Sequence, residues 1–238
     1  MTTIDLTGPV VGSDSSWIYD FLDIDCISPN KVSDALKDLD DEELVINLSS
    51  GGGEVTAASQ IYTALRQANQ NVVINITGMA ASAASVIAMG ANTVNISPTA
   101  QFMIHQASVI SPGGNKDDLN HLADILDVTD QSIAQAYVDR TGMNIEDVVK
   151  MMADETFLTA QQAVEYGFAD NIMFAESSGR KITNVIGAGL LSNDAINKVG
   201  TLIAKEMQQD THIENTNNNE LESRQALRSA KAAILLED

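Results

Sequence analysis

Residues 78–105 read GMAASAASVIAMGANTVNISPTAQFMIH, and the order of features in this stretch decides the fold. A turn of small residues, Gly78, Met79, Ala80 and Ala81, delivers Ser82 to the first turn of a short Ala-rich helix. The backbone N–H groups of a first helical turn lack intrahelical partners, and the helix dipole favours negative charge there. An oxyanion formed beside Ser82 would therefore meet donors already in place. A strand-like run, Phe102, Met103 and Ile104, then ends at His105, a candidate base for that hydroxyl. Taken alone, Ser82 reads as an ordinary N-cap and His105 as a buried, hydrogen-bonded histidine; their interest lies in the pairing.

Strands and helices alternate on both sides of this stretch. Leu44-Val45-Ile46-Asn47-Leu48 is a run of strand formers, followed by the Gly-rich Ser49-Ser50-Gly51-Gly52-Gly53 and by a helical pattern of Val55, Ala58, Ile61, Tyr62, Leu65 and Ala68. Val72-Val73-Ile74-Asn75-Ile76 is the next strand, leading through Gly78 to the Ser82 helix, and strands over 93–97 and 102–105 follow. Strands alternating with crossover helices imply a largely parallel sheet with functional loops at the carboxyl ends of its strands. Upstream, residues 1–30 read as an edge strand and a loop that includes the apolar run from Trp17 to Leu22, and 31–39 as an amphipathic helix. Downstream, a long helix opens on Asp117 and Asp118 and stops at Gly142, Asn144 caps another, and Thr159 with Gln162 forms a capping box for a third that ends at Gly167. The pattern loosens after Phe174. Residues 176–238 read as an extension with an Asn-rich linker at 215–219 and a terminal helix over 220–236, beyond a first domain of 1–175.

The 238-residue chain is 44% hydrophobic, enough for a core, and carries a formal net charge of −20. Such acidity argues against nucleic acid as ligand and against an anionic membrane surface as docking site. Cys26, the single cysteine, cannot form an internal disulfide, and residues 1–6 have neither a basic nor an apolar leader region, so the expected location is cytoplasmic. Residues 72–91 are uncharged and long enough to span a bilayer, but Asn75, Thr77, Gly78, Ser82 and Ser85 interrupt them; a buried strand, turn and helix fit better. No Gly-Lys-Ser/Thr follows the glycine loop, so it is not a Walker A motif. No H-E-x-x-H occurs, and three histidines with one cysteine are too few for a zinc site, so neither metal nor cofactor is expected.

Taken together, the glycine loop, the Gly-x-Ala-Ala-Ser82 turn, the Met103-Ile104-His105-Gln106 run and the later block from Phe157 to Asp170, with Glu165-Tyr166-Gly167, resemble the ClpP family of serine peptidases over residues 1–175. The doubled Ala-Ala-Ser most resembles the ClpP-like head maturation proteases of phages and prophages. The resemblance implies an α/β fold of the ClpP/crotonase type, built of repeated β-β-α units, with a handle helix over 117–140. It implies Ser82 as nucleophile, His105 as general base, and the N–H groups of Gly52 and Ala83 as oxyanion hole. Ser85 is the competing serine, one helical turn deeper. The triad acid departs from the family pattern: Glu155 stands at the aspartate position two residues before Phe157, with Asp154 as the alternate. The implied partners are a protein or peptide substrate, copies of the same chain in a ring, heptameric or double, and either a phage capsid or scaffold protein or a host unfoldase.

Three rival readings remain open at this level. A crotonase-like acyl-CoA enzyme would use a comparable oxyanion hole without needing the Ser82 and His105 pair. A Ser/Lys dyad is opposed by the lack of any lysine between Lys37 and Lys116. A catalytically degenerate ring or scaffold subunit would keep the fold and lose the chemistry.

Overall fold

The computed structural model describes residues 1–37, 43–109 and 113–175. Seven strands form one sheet: β1 (Thr2–Thr7), β2 (Leu44–Ser50), β3 (Val72–Ala81), β4 (Thr93–Ile96), β5 (Gln101–Ile104), β6 (Thr156–Thr159) and β7 (Asn171–Ile172). The parallel order is β1-β2-β3-β4-β7; β5 lies parallel to the far end of β3, and β6 runs antiparallel to β5. Among the described residues seven helices connect them: α1 (Ser16–Phe21), α2 (Pro29–Lys37), α3 (Val55–Gln67), α4 (Ala83–Met89), α5 (Lys116–Thr141), α6 (Ile145–Ala153) and α7 (Ala160–Glu165). This is the mixed α/β, mostly parallel architecture that the alternating pattern implied.

β3 is the strand on which the sheet turns. Its first half pairs with β4 through Val73 to Ile76, and its second half leaves β4 for β5, with Met79 opposite Gln101 and Ala81 opposite Met103. The register with β2 shifts between Leu48 and Ser50, where Gly78 crosses closest: a Cβ on Gly78 would lie 2.7 Å from Ser49 Oγ. The expected turn at 78–81 is therefore strand. Its small residues serve close approach between neighbouring strands rather than reversal of the chain.

The core lies where α3 and α4 cover the apolar face of β2 and β3. Ile46, Leu48, Ile74 and Ile76 are fully buried there, and every residue of α4 is buried, which is why that helix is built of Ala and Ser around Val86 and Ile87. Phe102, Phe168 and Tyr137 stack beneath the site, with centroids 5.0 and 5.8 Å apart. On the opposite face runs a ladder of amides. Asn171 donates to Asn95, Asn95 to Asn75, Asn75 to Asn47, and Asn47 to the Asp5 carboxylate, at 3.1, 2.9, 3.3 and 2.9 Å. Each member is the register partner of the next, so five parallel strands are tied by side chains as well as by main chain.

α5 rises about 1.5 Å per residue, roughly 39 Å in all, and is half in and half out of the core. It starts at the acids Asp117 and Asp118 and ends at Gly142, in the left-handed conformation, as the sequence indicated, and the structure adds an Asn115/Asp118 capping box at its start. Its first half is uncovered, leaving Leu119, Ile125 and Val128 between 47% and 67% exposed, while Ile133, Ala134, Ala136 and Tyr137 in the second half are buried. Arg140 anchors the buried end by donating to Ala91 O at 2.9 Å and pairing with Asp170, whose carboxylate also accepts from Val94 N at 2.7 Å.

A second local expectation failed. The apolar run at 17–22, read as loop, contains α1, and Trp17 and Phe21 on it are more than 60% exposed. The terminal residues of the helix expected over 31–39, the Asn-rich linker and the terminal helix over 220–236 lie outside the described residues. Among the described residues, no helix is long and apolar enough to cross a membrane.

Asn75 is the middle rung of the ladder, and Asn75→Ala would leave Asn47 Oδ1 without a donor and Asn95 Nδ2 without an acceptor. A loss of about 1–2 kcal/mol is expected for these half-buried groups, read as a lower midpoint in denaturant unfolding at unchanged slope. A midpoint equal to wild type would show that the ladder adds no net stability.

Candidate active site

Strand register brings together two residues that are 23 positions apart in sequence. Ala81 pairs with Met103 as β3 and β5 end side by side, so Ser82 and His105 emerge at the same edge of the sheet. Ser82 N donates to Met103 O at 3.1 Å, and its backbone sits at φ 54°, ψ −125°, outside both helix and strand. A conformation of this kind costs a non-glycine residue on the order of 1–3 kcal/mol. Its Oγ makes no capping bond to α4 and lies 2.7 Å from His105 Nε2. The oxygen of an ordinary N-cap serine would accept from a backbone N–H of the first helical turn; this one is turned to the imidazole.

The backbone carbonyl of Ser82 is held from below. It accepts from Ser85 N at 3.0 Å and from Ser85 Oγ at 2.6 Å, and Ser85 Oγ is also 2.8 Å from the phenol of Tyr137. Ser85 has one proton, which goes to Ser82 O, so Tyr137 is the donor in the second contact. Burial pushes the Tyr137 hydroxyl well above its usual range, which keeps that proton in place. Ser85 is fully buried and committed to this network, so the competing serine is a packing residue.

Gly52 presses against the turn from the other side. Its φ is +104°, and a Cβ there would fall 2.6 Å from Ser82 Cβ, 2.8 Å from Ala81 O and 3.1 Å from Ala83 N. Only glycine allows this approach. The loop is pinned by Val10 N donating to Gly52 O and Glu54 N donating to Val10 O, both at 2.9 Å. Gly52 N donates to Ser50 Oγ at 3.1 Å, while Ser50 Oγ donates to Gly8 O at 2.6 Å. Gly52 and Ala83 thus flank Ser82, with the Gly52 amide engaged by Ser50 in the free chain.

The two carboxylates differ in placement. Asp154 caps the C-terminus of α6 and pairs with Lys150, and that hydrogen bond raises the lysine pKa. Glu155 has φ 48° and donates its N–H to Met152 O at 3.1 Å. The antiparallel β5/β6 ladder ends with Ile104 opposite Thr156, and one further step would set His105 opposite Glu155. Both carboxylates are exposed, and among the described residues neither hydrogen-bonds to His105. The sequence reading missed Asp130, which is 5% exposed on α5 and accepts from Ala107 N at 2.6 Å. It was legible in principle, as an acid at i−3, i−4 and i−7 from Ile133, Ala134 and Tyr137 on one apolar stripe. Among the described residues, no group of three His, Cys, Asp or Glu is placed to hold a metal ion.

A strained serine at a strand-to-helix turn, with its hydroxyl on an imidazole, is an arrangement found in serine hydrolases of several folds. The family model described as Clp protease matches residues 24–176, and the chain belongs to that family of serine-type endopeptidases. It is 33% identical over 135 residues to the ATP-dependent Clp protease proteolytic subunit of Ligilactobacillus salivarius, covering 56% of this chain and 68% of that one. It is 31% identical over 138 residues to the ATP-dependent Clp protease proteolytic subunit 1 of Chlamydia abortus, covering 56% and 71%. These matches do not favour the acyl-CoA or degenerate-subunit readings. α1 and everything past 176 lie outside the family match.

Gly52→Ala tests how tightly the loop and the turn are fitted. The added methyl meets backbone atoms of Ala81 and Ala83 at under or near 3 Å and imposes a left-handed φ on alanine. The expected result is a protein destabilised by roughly 2 kcal/mol or more with its serine no longer reactive. A variant that melts and reacts like wild type would mean that the loop is free to move away from Ser82.

Proposed function

We propose that this chain hydrolyses peptide bonds with Ser82 as nucleophile and His105 as general base, and the observation that carries the reading is the 2.7 Å contact between Ser82 Oγ and His105 Nε2. As Oγ attacks a peptide carbonyl, Nε2 takes its proton, and the carbonyl oxygen becomes an oxyanion between the amides of Gly52 and Ala83. The imidazolium then protonates the leaving amine. Water, deprotonated by the same nitrogen, releases the acyl group and restores the hydroxyl. The Gly52 amide must exchange Ser50 Oγ for the oxyanion, and the Ala83 amide belongs to the first turn of α4. This chemistry draws on no cofactor.

Glu155 is the proposed orienting acid, with Asp154 as the alternate. Two features favour Glu155: the β5/β6 register runs toward it, and Asp154 is already engaged with Lys150. Its positive φ carries it off the ladder, and the extra methylene of glutamate compensates in reach.

The curated relatives are named as ATP-dependent proteolytic subunits, and we extend that organisation to this chain: a cytoplasmic homo-oligomeric ring, single or doubled, heptameric by resemblance. Leu119, Ile125 and Val128 on the uncovered half of α5 supply apolar surface for contact between copies. In a ring the substrates would be peptides and unfolded or assembly-bound proteins. The doubled Ala-Ala-Ser motif supports a phage capsid or scaffold protein in head maturation, with a host unfoldase as the alternative partner. Residues 1–175 are the peptidase domain in this scheme and 176–238 an extension separable from catalysis.

A fluorophosphonate probe tests the chemistry. Wild type should be labelled at Ser82, and Ser82→Ala and His105→Ala should not be; labelling that persists in Ser82→Ala would overturn the assignment. Peptide hydrolysis by Glu155→Gln should fall by as much as about 10⁴-fold, with Asp154→Asn near wild type. A large loss confined to Asp154→Asn would transfer the acid role to that residue.

A further inference from the structure

We propose that Asp130 is a positioning residue for His105, acting through the main chain of the segment that follows β5. The proposal rests on the reading of Ser82 and His105 as the catalytic pair. His105 is the first residue beyond β5, so no strand ladder fixes it, and its imidazole must nevertheless keep a hydrogen bond to a serine on the neighbouring strand. Two residues further on, Ala107 N donates to Asp130 Oδ1 at 2.6 Å. That single bond ties the exit of the histidine segment to the middle of α5.

Three observations make Asp130 more than a surface acid. At 5% exposure it is the one charged side chain among the buried described residues. A buried carboxylate is costly unless its bonds are made, so its place on an otherwise apolar stripe calls for a role. The stripe itself faces the site: Ile133 and Tyr137 line the same small cleft as Ser82, His105 and Ala107. Seven residues beyond Asp130, Tyr137 donates to Ser85, which holds the Ser82 carbonyl. One face of α5 therefore reaches both partners of the pair. Tyr137 steadies the serine turn from below, and Asp130 holds the histidine segment from the side.

The acceptor oxygen is what the role requires. Asparagine can present a carbonyl oxygen at the same place, whereas alanine leaves the Ala107 amide without its partner and the segment free to shift. A displacement of about 1 Å in a catalytic group costs on the order of a hundredfold in rate.

The experiment measures saturation kinetics of fluorophosphonate labelling on the full chain, well below each variant's unfolding temperature. Asp130→Ala is expected to lower the maximal labelling rate between about tenfold and a hundredfold with the half-saturating probe concentration little changed, and Asp130→Asn to restore most of the rate. If Asp130→Ala does not fold, Asp130→Ser, polar but too short to reach the Ala107 amide, is judged by the same two quantities. Labelling at the wild-type rate in the alanine or serine variant would overturn the proposal, as would an asparagine variant as slow as alanine. Wild type that is not labelled at Ser82 would overturn the catalytic reading itself. Labelled wild type with an indifferent Asp130 removes only the positioning role.

Discussion

The backbone of Ser82 cannot hold φ 54° by itself, and much of the surrounding structure is an answer to that constraint. Its amide is fixed by Met103 O, its carbonyl by Ser85 from two atoms, and the space beside it is filled by a glycine loop with no side chain to spare. Each restraint comes from a different element: β5, α4 and the β2–α3 connection. A strained conformation persists only when several such contacts over-determine it. The outcome is a hydroxyl that points away from its own helix and into hydrogen-bond contact with an imidazole.

α5 backs one of those restraints, Ser85, and also holds the segment after His105. Its buried half carries the Tyr137 phenol and the Asp130 carboxylate toward the site, and its far end is tied down by Arg140 to Ala91 O and Asp170. Its other half projects with apolar side chains uncovered. The same helix thus runs from the cleft beside Ser82 and His105 to a half whose apolar side chains are uncovered.

Most of the architecture was legible because each boundary had a local cause. Gly142, the Asn144 cap and the Thr159/Gln162 box each satisfy backbone groups within a few residues, and their residue types announce it. Ser82 and His105 were legible as a pair from the small-residue turn before one and the apolar strand before the other. What the sequence hid depends on distant contacts. Gly78, Ala80 and Ala81 look like a turn until β5 is seen to need them as a strand. In α1, Trp17 and Phe21 share a helical face, but that face is exposed, so no burial pattern marked the element as a helix. Asp130 was masked by its surroundings, an acid in an acidic helix, and only the depth of the stripe around it sets it apart. The choice between Asp154 and Glu155 is the least legible point, because they are adjacent and a one-residue difference in register would exchange their places relative to His105.

Why the Ser82 and His105 side chains meet at this point of the sheet follows from β3. Below the register shift the strand lies between β2 and β4 in a regular parallel array, with apolar residues packed against α3 and α4 on one face and the Asn ladder on the other. That half is tied on both faces and gives a stiff platform. Above the shift β3 exchanges β4 for β5, and the exchange opens the sheet at the carboxyl ends of its strands, where a ligand can approach. Gly78 marks the junction, where a Cβ would meet Ser49 Oγ at 2.7 Å and Ser49 would have to turn aside. A continuous pairing of β3 with β4 would have carried Ser82 alongside the segment after Ile96 instead of beside Met103. The Ser82 to His105 contact is therefore a product of the change of partner, and the regular half of the strand is what holds that change in place.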